Sequence, residues 1–230
     1  MVMYMDALPW ACIVFEQLRK VCPNPGTLRR WVNAAFPGRP LLHQHDPVSG
    51  KSIFQYPMVQ YKSYRGVPLL YGIGDGVEEI RAIYGNIHEA EVRLGPHVIR
   101  EIVLREGSAK ISASEPKQYR FLTPWLAFNR ENYIAFRETA DWAERKSLLN
   151  GILVGNILSI AKPLGIVIDF PLKVRSLVDM TSLQLSRHDL VEHGFLGEFE
   201  ANIELPPLLG LGRHVSIGYG TVLGEGWDWI

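Results

Sequence analysis

Two short segments of the chain hold side chains able to do chemistry. The first is Leu41-Leu42-His43-Gln44-His45-Asp46, bounded by Pro/Gly punctuation on both sides. Imidazoles titrate near neutral pH, so a pair of them can take and give a proton in one reaction. With Asp46 adjacent, the pair also has the donor types of a partial metal site, although no matching Cys/His/Glu cluster stands elsewhere in the chain. Two solvated polar loop residues are the plainer reading. The second segment runs from Gly210 to Val222, where Gly210, Gly212, Gly218 and Gly220 interleave with Arg213, His214, Ser216 and Tyr219. Missing Cβ atoms let backbone N–H groups approach a phosphate, and successive N–H groups form an anion nest. Arg213 can add a bidentate phosphate contact and Tyr219 a stacking face for a base. A glycine-rich hairpin at a tight sheet corner accounts for the same residues without any ligand.

A third stretch, Tyr56-Pro57-Met58-Val59-Gln60-Tyr61-Lys62, reads as a strand ending on a lysine beside aromatic residues, as RNA-binding strands often do. An amphipathic strand with a surface lysine explains it as well. Two better-known phosphate motifs are excluded. No Gly-Lys-Ser/Thr follows the glycine-rich segment, and Gly72-Ile73-Gly74-Asp75-Gly76 fails the dinucleotide pattern because Val77 stands where its third glycine belongs.

The elements that must position these segments follow from periodicity. Trp10 to Phe15 is an apolar, partly β-branched strand candidate. After Pro23-Asn24-Pro25-Gly26, with Thr27 as N-cap, the apolar residues Leu28, Trp31, Val32, Ala35 and Phe36 mark one face of a helix that Pro37-Gly38 stops. Tyr56 to Tyr61 and Pro68 to Ile73 read as strands joined across Arg65-Gly66. Asp75-Gly76 opens a helix with Val77, Ile80, Ile83 and Tyr84 inward. Val98 to Leu104 reads as a strand before a turn at Glu106-Gly107. That order, strand-helix-strand-strand-helix-strand, is the ferredoxin-like split βαβ order. The second half starts again with a strand at Tyr119 to Leu122. A long helical region is expected from about Asn129 to Lys162-Pro163. Strands are expected at Ile166 to Val174, Phe195 to Leu205 and Val215 to Leu223. The expected fold class is α+β in two domains, 1–112 and 113–230, with the boundary near residues 107–118.

Composition bounds the function. Of 230 residues, 47% are apolar and 21% charged, which excludes global disorder. Lys plus Arg is 24 and Asp plus Glu is 24, so a partner held by bulk charge is disfavoured, while a local basic patch is not. Cys12 and Cys22 form neither a disulfide framework nor a metal spacing. The apolar stretch from Leu148 to Phe170 is interrupted by Asn150, Asn156, Lys162, Pro163 and Asp169, so no membrane span is expected. Without a secretory signal pattern, a cytoplasmic protein is the expectation.

Several segments together resemble a known family. Leu42-His43-Gln44-His45, Tyr56 to Lys62, Gly72 to Gly76, Leu153-Val154-Gly155-Asn156-Ile157-Leu158-Ser159-Ile160-Ala161-Lys162, Phe195 to Asn202, Leu205-Pro206-Pro207 and the Gly210 to Val222 loop occur in the order found in CRISPR-associated repeat-RNA processing endoribonucleases, the Cas-six-type members of the RAMP superfamily. The resemblance spans roughly residues 40 to 222. It implies two tandem ferredoxin-like βαββαβ domains with a C-terminal glycine-rich loop. It also implies metal-independent cleavage of precursor CRISPR RNA, with no cofactor. His45 becomes the first candidate for general acid/base and His43 its partner, while Tyr56 or Lys51 positions the phosphate. RNA contacts fall to Lys62, Arg29, Arg30, Arg39, Gly210, Gly212, Arg213, His214, Ser216, Gly218, Tyr219 and Gly220. Partners would be CRISPR repeat RNA and other Cas proteins of an effector complex, with no membrane. Gln44 stands where the family often has Asn, Arg213 where Lys is usual, Ile217 where relatives often carry Arg, and Phe54 where some place a Tyr. The neutral net charge fits a compact hairpin contact or a subunit retained in a larger complex. Two other readings compete: a non-catalytic subunit that clamps guide RNA, and an unrelated α+β metal- or ligand-binding protein using His43, His45 and Asp46.

Overall fold

Asn24 and Pro25 show how local chemistry starts the first helix. The Asn24 side chain accepts the Thr27 N–H at 2.9 Å, and Pro25 fills the first helical position, whose N–H needs no partner. Asn24 is therefore the cap, and Thr27, the expected cap, lies inside the first turn. The computed structural model describes residues 7–22, 24–43, 55–109, 111–184 and 191–226. These form two units, residues 7–109 with 216–218 and residues 111–215 with 219–226.

In the first unit the chain runs β1 (Leu8–Val14), α1 (Pro25–Ala35), a one-turn α2 (Pro40–His43), β2 (Val59–Tyr64), β3 (Val67–Ile73), α3 (Gly76–Glu89), the small hairpin β4 (Val92–Leu94) and β5 (His97–Ile99), and β6 (Val103–Ala109). The main sheet is antiparallel with order β2-β3-β1-β6, the ferredoxin-like order. Ala11, Ile13, Val59, Tyr61 and Leu70 on one sheet face pack with Leu28 and Val32 of α1 and Val77, Ile80 and Ile83 of α3. The expected Val98 to Leu104 strand is two strands, β5 and β6. The expected turn at Glu106-Gly107 is straight chain inside β6, where Gly107 leaves room for the Trp10 ring; a Cβ there would lie 2.6 Å from Trp10 Cζ2.

The second unit runs β7 (Ala113–Phe121), α4 (Arg130–Glu138), α5 (Trp142–Ala161), β8 (Val174–Gln184), β9 (Val191–Ile203) and β10 (Val222–Gly224). Its sheet order, β10-β7-β9-β8, repeats the first pattern. The fold class is thus α+β with tandem ferredoxin-like sheets. Between β9 and β10, where the order of a ferredoxin-like fold has its second crossover helix, residues 204–221 form turns and one 3-10 turn, Val215–Ile217. The expected helical region is two helices. Thr139 ends α4, and Asp141 caps α5 by accepting the Glu144 N–H at 2.9 Å. The β-branched run Ile166 to Val174 is not a strand. Pro171 has no N–H to give a ladder, and pairing with β9 starts only at Val174. The expected last strand shrinks to β10, because Gly218 and Gly220 hold positive φ.

Candidate functional site

The root of the histidine segment is tied down from three sides. Phe36 ends α1 by bonding back to Val32 O, and Pro40 opens α2. Leu42 of α2 is buried in the core. The buried Tyr61 phenol of β2 donates to Asn33 Oδ1 of α1 at 2.9 Å and reaches Leu42 O at 3.4 Å. Burial raises the Tyr61 phenol well above its ordinary pKa, with the Arg29 charge opposing, so it stays a donor. Arg39, just before α2, pairs with Glu79 of α3 at 2.8 Å. His43 is the last residue of α2. Its side chain, and Gln44, His45, Asp46, Lys51 and Phe54, lie outside the described residues. Of the arginines read as RNA contacts, Arg29 is half-buried on α1, Arg30 is exposed with Nη2 3.5 Å from Thr27 Oγ1, and Arg39 is engaged with Glu79.

Tyr56 precedes β2 and is partly exposed. Its phenol oxygen accepts from Gln60 Nε2 at 2.8 Å. Lys62 is not the surface lysine that the sequence pattern implies. The strand runs on to Tyr64, and its alternation puts Lys62 with Gln60 on the sheet face opposite the helices, 1% exposed. The Lys62 ammonium lies 5.6 Å from the centre of the Tyr71 ring. Burial lowers its pKa to about 7, and burial raises the neighbouring Cys12 thiol to about 12. Both shifts follow from the penalty on charge in a dry interior.

The glycine-rich segment is a narrow hairpin on the second unit. Leu211 N–H donates to Gly220 O and Val222 N–H to Leu209 O, each at 2.9 Å. At Gly220, with φ +60°, a Cβ would lie 1.9 Å from Leu211 O. At Gly212, with φ +88°, it would meet the Trp125 indole at 2.8 Å. The indole N–H in turn donates to Asn156 Oδ1 of α5 at 2.9 Å. Arg213 N–H donates to Leu126 O at 3.1 Å, and its guanidinium Nη1 donates to Phe128 O at 2.9 Å, so the exposed fork is held in one orientation. His214 is exposed at φ +55°, and Tyr219 is half-buried, its ring 6.4 Å from the imidazole. Gly210 is buried and bridges to Thr221. Ser216 lies in the 3-10 turn. The Ser216–Gly218 stretch groups with the first unit, where a Cβ on Gly218 would lie 2.8 Å from Tyr61 O.

Packing therefore accounts for Gly212 and Gly220 without a ligand, while the same geometry presents Arg213 and His214 outward. Sequence reading had no view of three supports: Asn33 with Tyr61, Gln60, and Trp125 with Asn156. Asn156 lies in one of the family-like segments, but only pairing in space gives it a task. Among the described residues no group of three His, Cys, Asp or Glu is placed to hold a metal, and no helix is long and apolar enough to cross a membrane.

Comparison with known proteins uses both units. The Cas6b N-terminal domain model matches residues 7–108, and the Cas6b C-terminal domain model matches residues 111–224. An uncharacterized protein of Methanocaldococcus jannaschii is 40% identical over 106 residues, 46% of this chain and 71% of its own length. A crystal structure of Cas6b matches with a TM-score of 0.84 at 27% identity, over 95% of this chain and 99% of that one. A second crystal structure, of the CRISPR RNA processing endoribonuclease Cas6b, matches with a TM-score of 0.72 at 26% identity over the same shares. Csf5, a CRISPR-Cas type IV Cas6 crRNA endonuclease, shares the fold with a TM-score of 0.62 at 15% identity. With both halves matched by Cas6b domain models, and the tandem sheets and glycine-rich hairpin in place, the chain belongs to the Cas6b family.

Proposed function

We propose that this chain is a metal-independent endoribonuclease that cuts precursor CRISPR RNA within its repeats. The carrying observation is that Cas6b domain models cover the unit holding the histidine segment and the unit holding the glycine-rich hairpin. In the reaction a ribose 2′-oxygen attacks the adjacent phosphorus. The new O–P bond gives a 2′,3′-cyclic phosphate, and the bond to the 5′-oxygen breaks. A base removes the 2′-hydroxyl proton, and an acid delivers a proton to the leaving 5′-oxygen, which becomes a 5′-hydroxyl. His45 serves as general acid/base with His43 as partner. Tyr56 or Lys51 donates to the phosphoryl oxygens, where negative charge grows. Arg213 and the backbone of the Gly210 to Gly220 hairpin hold the RNA strand. In this reading residues 1–112 carry the chemistry and residues 113–230 carry the strand clamp, with repeat RNA as the partner and other Cas proteins as companions of the product.

The test is cleavage of end-labelled CRISPR repeat RNAs in EDTA, intact and with a 2′-deoxy substitution at the cut site. Discrete cutting with a cyclic-phosphate end, blocked by the deoxy sugar, is expected. Tight binding of the same RNAs without cutting overturns the enzymatic reading in favour of a guide-RNA clamp, which the zero net charge also fits. Stoichiometric zinc or manganese with no RNA affinity overturns both.

A further inference from the structure

Gln60 sits on β2 with no exposed surface, and its amide has one possible orientation. Nε2 lies 3.0 Å from Pro57 O, an atom that only accepts. Turning the amide over would set two acceptors against each other, so the nitrogen faces Pro57. The second hydrogen of the same NH2 group then meets Tyr56 Oη at 2.8 Å. The Tyr56 phenol is therefore an acceptor on its inner side, and its own O–H is turned away from Gln60. Gln60 Oε1 is buried with no hydrogen-bond partner among the described residues. An orphan buried acceptor is unfavourable, so glutamine is a poor choice as mere filling. What it supplies is a fixed pair of N–H donors aimed at residues 56 and 57.

We infer that Gln60 is a positioning residue for Tyr56: it sets the polarity of the phenol so that the O–H donates toward the scissile phosphate of the RNA. This rests on the phosphate role given to Tyr56 above. It assigns a task to a residue on the covered sheet face, away from the helices that carry the histidine segment.

The experiment is single-turnover cleavage of a CRISPR repeat RNA that the full-length wild-type chain cuts, at saturating protein, with the dissociation constant for the same RNA measured in parallel. Tyr56→Phe, Gln60→Met, Gln60→Glu and the doubles with Tyr56→Phe are compared, with folding followed by circular dichroism and thermal melting. Gln60→Met removes both donors at similar volume. Gln60→Glu keeps the shape, but in this buried site beside Pro57 O the carboxyl is held neutral and has at most one O–H donor in place of two N–H donors, so it cannot serve Pro57 and Tyr56 together. The expected result is a loss of roughly tenfold in the cleavage rate for each single variant, little change in dissociation constant, and no further loss in the doubles. The inference is overturned if a folded Gln60 variant cleaves at the wild-type rate while Tyr56→Phe is slow. It is equally overturned if the losses multiply in the doubles, or fall on binding alone. If Tyr56→Phe itself cuts at the wild-type rate, the role of Tyr56 falls and the inference with it.

Discussion

Lys62 shows what one misplaced charge does to an expectation. Read as the end of a strand, it belongs on RNA; two further strand residues and strict alternation bury it instead. Its depressed pKa makes a prediction about stability. The unfolded lysine holds its proton to about pH 10.5, while the folded one releases it near pH 7, so the unfolded state binds more protons in between. Stability contributed by this site therefore rises with pH from about 7. Above about pH 9 Cys12 works the other way, because its folded thiol resists the ionisation that the unfolded thiol undergoes. Lys62→Met should raise the denaturant midpoint at pH 6 and lose most of that advantage by pH 9, an effect of a few kcal/mol at the acid end. A midpoint difference independent of pH removes the ionisation argument. His45 makes the complementary prediction at the chemical step. His45→Ala should slow cleavage of repeat RNA by about 10² or more with RNA affinity nearly intact, measured by single-turnover rates and filter binding. Equal losses in rate and affinity contradict a proton-transfer role.

Elements were legible where their signals are local. β1, α1, β3 and α3 follow from period, punctuation and caps within a few residues. Most errors occur where distant partners decide. One miss is local: the apolar stripe across residues 129–162 is continuous in sequence, but Thr139 ends the first helix and the Asp141 cap starts a second. Ile166-Val167-Ile168 has strand composition, yet pairing with β9 begins eight residues beyond Ile166 at Val174. The site divides the same way. The histidine pair and the glycine-rich run were visible as patterns. Tyr61 holding Asn33, and Trp125 holding Asn156, join residues 28 and 31 apart and exist only once the sheets form. The hairpin glycines give a matched pair of tests. Gly220→Ala forces a Cβ to 1.9 Å from Leu211 O at positive φ, and should destabilise the protein by at least about 1–2 kcal/mol and weaken RNA binding. Gly151→Ala, on α5 with nothing near its Cβ, should leave binding unchanged and stabilise by roughly 0.5–1 kcal/mol. Thermal melts and RNA affinity separate the two, and similar effects from both would remove the packing argument for the hairpin.

At the scale of the whole molecule, zero net charge limits how the chain meets a polyanion. Affinity for repeat RNA should fall with salt at a log–log slope of only about −1 to −3, the release of a few counterions rather than many. A slope near zero speaks against phosphate contacts altogether. The connection of the chain carries a further consequence. Ser216–Gly218 groups with the first unit, although all its other described residues lie within 7–109, and Val222–Gly224 closes the second sheet against β7, about a hundred residues earlier. The second unit therefore waits for the last stretch of the described chain, whereas the sheet and core of the first are complete by Ala109. During synthesis the N-terminal unit has all of its sheet and packed helices long before β10 exists, so it can close first while β7, β8 and β9 wait for their last strand. Nascent chains stalled with residues up to 210 outside the exit tunnel should be cut by protease in the second half and resist in the first, whereas those with residue 226 exposed should resist in both, so that the delay between making the chain and finishing it falls on the second unit alone.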